Sequence, residues 1–174
     1  MRWSGILLGF CCWLGATPGA AADAPSARVA SDDRAARLEN AGFESRVPHS
    51  GWSLHVYGQQ PTVALDAQIR REGSQSLRVT AAEPSDTAFG QEIVLDPNRC
   101  YRLTGWVRTE RLNPGSAPVC GTFQVQGPGG RDVLVSGKNH TGTTDWTRET
   151  LCFTPPADGR TRIAIFFVGY GKGT

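Results

Sequence analysis

Six side chains on two short β-prone runs are of types that could do chemistry. They are Arg102, Trp106 and Arg108 within 101–109, and Thr122, Gln124 and Gln126 within 119–126. Side chains alternate between the two faces of a strand. On that count Tyr101, Leu103, Gly105 and Val107 share one face, and Arg102, Thr104, Trp106 and Arg108 share the other. In the second run Val119, Gly121, Phe123 and Val125 oppose Cys120, Thr122, Gln124 and Gln126. The chemistry such a decorated face offers is recognition rather than catalysis. An aromatic ring covers a flat apolar C–H surface, and Arg, Gln and Thr hydrogen-bond a fringe of hydroxyls, which are the two aspects a sugar ring presents. Phe166 and Tyr170 share a parity on a late run and join the group as secondary members. A plainer reading stands beside this one, in which Trp106 is a core tryptophan and the glutamines are solvated strand residues.

Nothing in the chain has the pattern of a catalytic centre. There is no G-x-S-x-G, H-E-x-x-H or P-loop spacing. Glycoside hydrolysis needs two carboxyls facing each other across a cleft. The acids here fall in turns and at strand ends, as Asp86, Asp96, Asp132 and Asp145 do. The chain is therefore not expected to be an enzyme in its own right.

The first 22 residues have the layout of a secretory signal peptide, with Arg2, an apolar stretch over 3–14 and Ala20-Ala21-Ala22 before Asp23. The apolar stretch is too short to cross a bilayer. Phe10 before Cys11 argues against a lipoprotein, since a small residue is wanted there. Cleavage after Ala22 is expected, with the product secreted, periplasmic or on the cell surface and without a membrane span. Removing 22 of 174 residues leaves 152, enough for one domain with a core. That portion carries 17 basic and 16 acidic residues, because the leader holds one of the 18 basic residues and no acid. So balanced a charge, with no run of five like charges, argues against a nucleic-acid partner.

Cys100, Cys120 and Cys152 remain after cleavage. In an oxidising compartment an odd count gives at most one bridge and a free thiol. Cys100 with Cys152 is the preferred pair, because the strand ending near Leu95 should neighbour the one containing Phe153; Cys120 with either is an alternative. Closing that loop would contribute roughly 4 kcal/mol on the chain-entropy account. No Cys/His cluster has zinc spacing. His49, His55 and His140 share no spacing and are expected to be solvated.

Residues 23–36 are rich in Ala, Asp, Ser and Arg without hydrophobic pattern and read as a flexible linker. From 37 to 174 no helix is expected. Short β-prone runs at 51–57, 62–67, 76–81, 90–95, 101–109, 119–126, 132–136, 146–153 and 161–168 are separated by Gly, Pro, Asn and Asp. Such runs predict an all-β, two-sheet antiparallel sandwich of jelly-roll type.

The order of motifs points further. Asn40, Gly42-Phe43-Glu44 and Gly51-Trp52 are followed by Gly73-Ser74-Gln75-Ser76-Leu77-Arg78-Val79. After these come Gln91-Glu92-Ile93-Val94-Leu95-Asp96-Pro97, the 101–109 run, Thr144-Asp145-Trp146, Phe153-Thr154-Pro155-Pro156 and Gly169-Tyr170-Gly171. This order resembles the galactose-binding-like jelly rolls of carbohydrate-binding module families four, nine and twenty-two. The resemblance implies a non-catalytic module that binds a polysaccharide or oligosaccharide. It implies a monomeric unit of a longer chain that delivers a glycoside hydrolase or similar enzyme to its glycan. It also implies core positions for Trp52 and Trp146. One structural Ca²⁺ is implied, held by the Glu44 carboxylate with backbone oxygens near Gly73 and Gln75. Such domains usually end in one further strand with an Asp-Asp pair, which this sequence lacks after Gly171, so the jelly roll is expected to be C-terminally incomplete. The competing reading is a cell-surface spacer or interaction domain with no sugar ligand.

Overall fold

The computed structural model describes residues 6–9, 15–16, 38–117 and 119–173, with the side chains of 6–9, 15–16 and 165–173 outside the description. The linker expected at 23–36 lies outside the described residues. Among the described residues, ten strands form two antiparallel sheets packed as a β-sandwich. The strands are β1 (Ile6–Gly9), β2 (Gly15–Ala16), β3 (Ser53–Gly58), β4 (Thr62–Asp66), β5 (Ser76–Val94), β6 (Tyr101–Leu112), β7 (Cys120–Gln126), β8 (Val133–Ser136), β9 (Gly142–Phe153) and β10 (Arg160–Gly173). The only helical turn among the described residues is a 3₁₀ turn at Pro128–Gly130.

Sheet A runs β4–β5–β1–β6–β9, with β2 beside β6 beyond β1. Sheet B runs β3–β5–β10–β7–β8. β5 serves both, pairing with β4 through 76–80 and with β3 through 85–90. Ala82, Glu83 and Pro84 are exposed where it passes from one sheet to the other. Proline lacks the N–H a central ladder position needs, and the crossover is where that loss matters least. The expected runs 76–81 and 90–95 are therefore one bent strand.

Alternation accounts for the core. Leu77 and Val79 of β5, Leu103 and Val107 of β6, and Leu151 and Phe153 of β9 line the inner face of sheet A. Phe89 of β5, Phe123 and Val125 of β7 and Ile163 of β10 meet them from sheet B. The opening motif closes one end. Phe43 and Trp52 are buried with rings 5.7 Å apart. Asn40 ties the corner together: its Oδ1 accepts from Ser45 N at 3.0 Å and its Nδ2 donates to Ser50 O at 3.0 Å. Gln91 joins this corner to sheet B, accepting from Glu39 N at 2.7 Å and donating to Gly51 O at 2.8 Å. These bonds explain the spacing of Asn40, Gly51, Trp52 and Gln91 in the sequence.

Trp52 is a core residue, as expected, whereas Trp146 is only half-buried. His140, expected to be solvated, is buried. Glu149 has the inward parity of Leu151 and Phe153, and a buried carboxyl needs a polar partner. His140 Nε2 meets Glu149 Oε1 at 3.0 Å.

An Asx turn ends β4. Asp66 Oδ1 accepts from Gln68 N at 2.8 Å and Ile69 N at 2.9 Å, and Oδ2 lies 3.2 Å from Arg78 Nη1 on β5. Burial works to raise the Asp66 pKa, but these hydrogen bonds and the Arg78 charge together hold it below its ordinary value of 3.8. A lowered carboxyl pKa stabilises the fold above the ordinary value, and that stability is lost as pH falls through the lowered one. Asp66→Ala should therefore cost about 1 kcal/mol at pH 7, with a smaller difference from the parent at a pH well below 3.8. Urea titrations at the two pH values check this.

Candidate functional site

The expected face is divided between the two sheets. Arg102, Trp106 and Arg108 lie on the outer face of sheet A, while Thr122, Gln124 and Gln126 lie on the outer face of sheet B, across the sandwich. Alternation within each strand is as read from the sequence. What the sequence does not reveal is that the chain changes sheets between β6 and β7. Trp106 is half-buried, with the Arg71 guanidinium 4.4 Å above its ring. That is a cation–π contact, and it covers one face of the ring. Arg108 is half-buried and sits 3.7 Å from Asp145, and Arg102 stands opposite Cys152. The backbones of Phe166 and Tyr170 belong to β10, but their side chains are outside the described residues.

The outer face of sheet B carries a groove of about 540 Å³. Ala88 of β5 lies at its floor, and register gives the rows around it. Across one row lie Ser53, Gly90, Ala164, Gln124 and Ser136, and His55 and Ala88 are paired in the next. Glycine and alanine keep the middle of the sheet low. Larger side chains stand on either side: His55, Tyr57 and Asp86 on one, Gln126 and Arg162 on the other. Tyr57 is 67% exposed and offers a ring face beside the groove.

The polar wall is ordered by its own hydrogen bonds. Gln126 Nε2 donates to Gln124 Oε1 at 2.9 Å, and Gln124 Nε2 donates to the Ser136 hydroxyl at 3.2 Å. Both glutamines are largely buried, so the ladder fixes their rotamers and leaves Gln126 Oε1 without a hydrogen bond among the described residues. Thr122 is fully buried; a Cβ added to Gly137 would come within 2.7 Å of its hydroxyl. Arg162 lies flat over Gly90, where an added Cβ would be 2.6 Å from Nε and Nη2. Asp86 has its pKa pushed up by burial. Reading from the sequence missed Tyr57, His55, Asp86 and Arg162. The signal was present for two of them, since alternation along 53–58 puts His55 and Tyr57 on one face. Extending the parity of Ala164 back by one alternation reaches Arg162.

The residues implied for calcium do meet. The Glu44 carboxylate accepts from Ser74 N at 3.1 Å and from the Ser74 hydroxyl, directly beside Gly73. Gly73 has φ +69° and a Cβ there would collide with Glu44, so glycine is required on both counts. Gln75 Nε2 donates to Phe43 O at 2.7 Å and Ser45 O at 3.0 Å. Calcium takes about six to eight oxygen ligands, with several carboxylates among them. Here one carboxylate is engaged by Ser74 and two carbonyls are engaged by an amide. No cluster of three acidic, His or Cys groups exists among the described residues. Among the described residues these hydrogen bonds close the corner.

Cys100, Cys120 and Cys152 are all free thiols. The strand ending near Leu95 is β5, whose neighbour in sheet B is β10, not the strand containing Phe153. It is β6 that pairs with β9, matching Tyr101 to Phe153 and Arg102 to Cys152. Cys100 is therefore diagonal to Cys152 rather than opposite it, a spacing of roughly 7–8 Å that is long for a bridge.

An antiparallel sandwich with an open, polar-walled groove on one sheet defines a ligand-binding β-sandwich. The carbohydrate binding domain family matches residues 35–171, and the chain belongs to that family. No curated protein matches it. Among solved structures it is similar to the enzymatically active domain of tailspike protein 4 of bacteriophage CBA120, with a TM-score of 0.59 and 20% identity. The match covers 79% of this chain and 20% of that one, so the chain spans about a fifth of that protein's length. At that identity the likeness is one of fold.

Proposed function

We propose that this chain is an exported, non-catalytic module that holds a polysaccharide in the groove of sheet B and keeps an attached glycan-active enzyme on its substrate. The observation that carries this is the groove itself, with Ala88 at its floor, an exposed tyrosine on one rim, and Gln126, held by its hydrogen bond to Gln124, with Arg162 on the other. A sugar chain lying there would stack on Tyr57 and accept and donate hydrogen bonds along Gln126. Tethering raises the local concentration of substrate at the linked enzyme. A single module of this kind is expected to bind at about 10 µM to 1 mM, or roughly −7 to −4 kcal/mol.

Affinity electrophoresis through gels containing xylan, β-glucan, mannan, galactan or polygalacturonate tests the proposal. Retardation by one of them should weaken about fivefold to tenfold in Tyr57→Ala and persist in Trp106→Ala, because Trp106 lies on the other sheet. Loss in Trp106→Ala alone would move the platform to sheet A. A folded protein retarded by none would favour the spacer reading.

Export rests on the leader pattern of Arg2, the apolar 3–14 stretch and the Ala20–Ala22 site. Among the described residues no helix is long and apolar enough to cross a membrane. Residues 6–9 and 15–16 nevertheless serve as strands of sheet A, and a leader that is cut away cannot serve there. N-terminal sequencing of the exported protein decides between cleavage after Ala22 and a retained N-terminus.

A further inference from the structure

The groove has one feature that binding of a neutral sugar does not require. Arg162 enters it from β10, directly above Gly90, and its Nε is buried with no hydrogen-bond partner. Among the described residues no carboxylate is paired with its guanidinium. Glu92 is its register partner on β5 and is exposed, yet makes no ion pair with it. Gln126 Oε1 and Arg162 Nη1 converge on Gly130, where an added Cβ would lie 3.0 Å and 3.4 Å from them. The guanidinium is therefore positioned by the absence of side chains at 90 and 130 rather than by a partner charge.

A partly desolvated cation without a counter-ion is unfavourable unless a ligand supplies one. Arginine presents a planar fork that matches a carboxylate with two parallel hydrogen bonds. From these observations we infer that the groove selects an acidic glycan, with the carboxylate of a uronic acid unit on Arg162 and a neighbouring ring against Tyr57. This rests on the sugar-binding reading above and names the substrate class of the same site. Asp86 stands beside Tyr57 in register on β5, while Gly90, under the guanidinium, lies four residues along that strand. Four residues of strand span about 13 Å, so a carboxylate at Arg162 is remote from Asp86, the acid that lines the groove, and the nearer acid is the exposed Glu92 opposite Arg162. That separation also sets polarity, because an acidic unit is accepted at the Arg162 end and repelled at the Asp86 end.

The test compares polygalacturonate with the same polymer after its carboxyls have been reduced to alcohols, using the full chain in isothermal titration. Wild type should bind the acidic polymer at least about tenfold more tightly, and added salt should narrow the gap. Arg162→Gln should bind both polymers alike, at the level of the reduced one, and Arg162→Lys should recover part of the preference. A sulfated neutral polymer is the third arm. Equal or tighter binding to it would replace the carboxylate with any anion and overturn the uronate assignment. Equal binding of wild type to the acidic and reduced polymers would overturn the acidic preference while leaving sugar binding intact, and binding to no polymer would remove both. Should Arg162→Gln fail to fold, the wild-type comparison of the two polymers decides alone.

Discussion

Phe89→Ala is expected to lower the free energy of unfolding by about 3–5 kcal/mol, whereas Val94→Ala on the same strand should change it by less than about 0.5 kcal/mol. Both residues lie on β5 in sheet B. Phe89 is fully buried, and its ring centroid lies 6.3 Å from that of His49. In register it sits between Leu54 of β3 and Ile165 of β10, at the middle of the sheet. Truncation there removes the transfer free energy of a benzyl group and leaves a cavity the flanking strands cannot close, since close-packed interiors relax only in part. Val94 is 76% exposed at the strand end and has little to lose. For a domain of this size the Phe89 effect corresponds to a drop of roughly 10 °C in the unfolding midpoint. Scanning calorimetry of the two variants beside the parent measures it. Equal midpoints would mean that sheet B contributes little to the cooperative core. Ala88 of the groove floor and Gly90 beneath the Arg162 guanidinium lie either side of Phe89, so a loosened Phe89 site should also weaken binding in the groove.

Local patterns and nonlocal partners explain what was legible in the sequence. Alternation along 101–109 and 119–126 identifies the buried faces correctly, with Leu103, Val107, Phe123 and Val125 all inside. The Asn40, Gly51, Trp52 and Gln91 spacing is legible because each residue has one demanding hydrogen-bonding or packing role near the same corner. The split of Trp106 from Gln124 is not local. It depends on β6 pairing with β9 while β7 pairs with β10, and either pairing would give the same period-two pattern. The burial of His140 likewise depends on Glu149 facing inward from another strand. Ala82-Glu83-Pro84 lies between the two runs expected at 76–81 and 90–95, but the chain stays extended there because it leaves one sheet for the other. Arg162 was missed because a charged residue at a strand start is ordinarily solvated. Only the register, placing it over Gly90 and beside Gln126, reveals the groove.

Deleting residues 1–22 should destabilise the sandwich by an amount on the order of 5 kcal/mol unless another strand takes their place. β1 is not an edge strand. Ile6, Leu7 and Leu8 pair with Val79, Arg78 and Leu77 on one side, and Leu7, Leu8 and Gly9 pair with Arg108, Val107 and Trp106 on the other. Removing it leaves two unpaired backbone edges in the interior of sheet A, where unsatisfied N–H and C=O groups are costly. Those edges flank Leu77, Val79 and Val107, all fully buried, so water would reach the core along the same seam. A chain beginning at Asp23 should therefore show faster amide exchange at 77–79 and 106–108, bind a hydrophobic dye and unfold at lower urea than the full chain. The exchange experiment separates the alternatives by location. Fast exchange confined to that seam means the slot stands open, as a β-strand acceptor that an exported, cleaved form must fill from elsewhere. Retained protection with unchanged stability means that β5 and β6 close upon each other, or that another segment enters, once the leader has gone. Stability restored by adding a synthetic peptide of residues 5–17 in trans would establish that strand insertion, rather than any other property of the leader, completes sheet A.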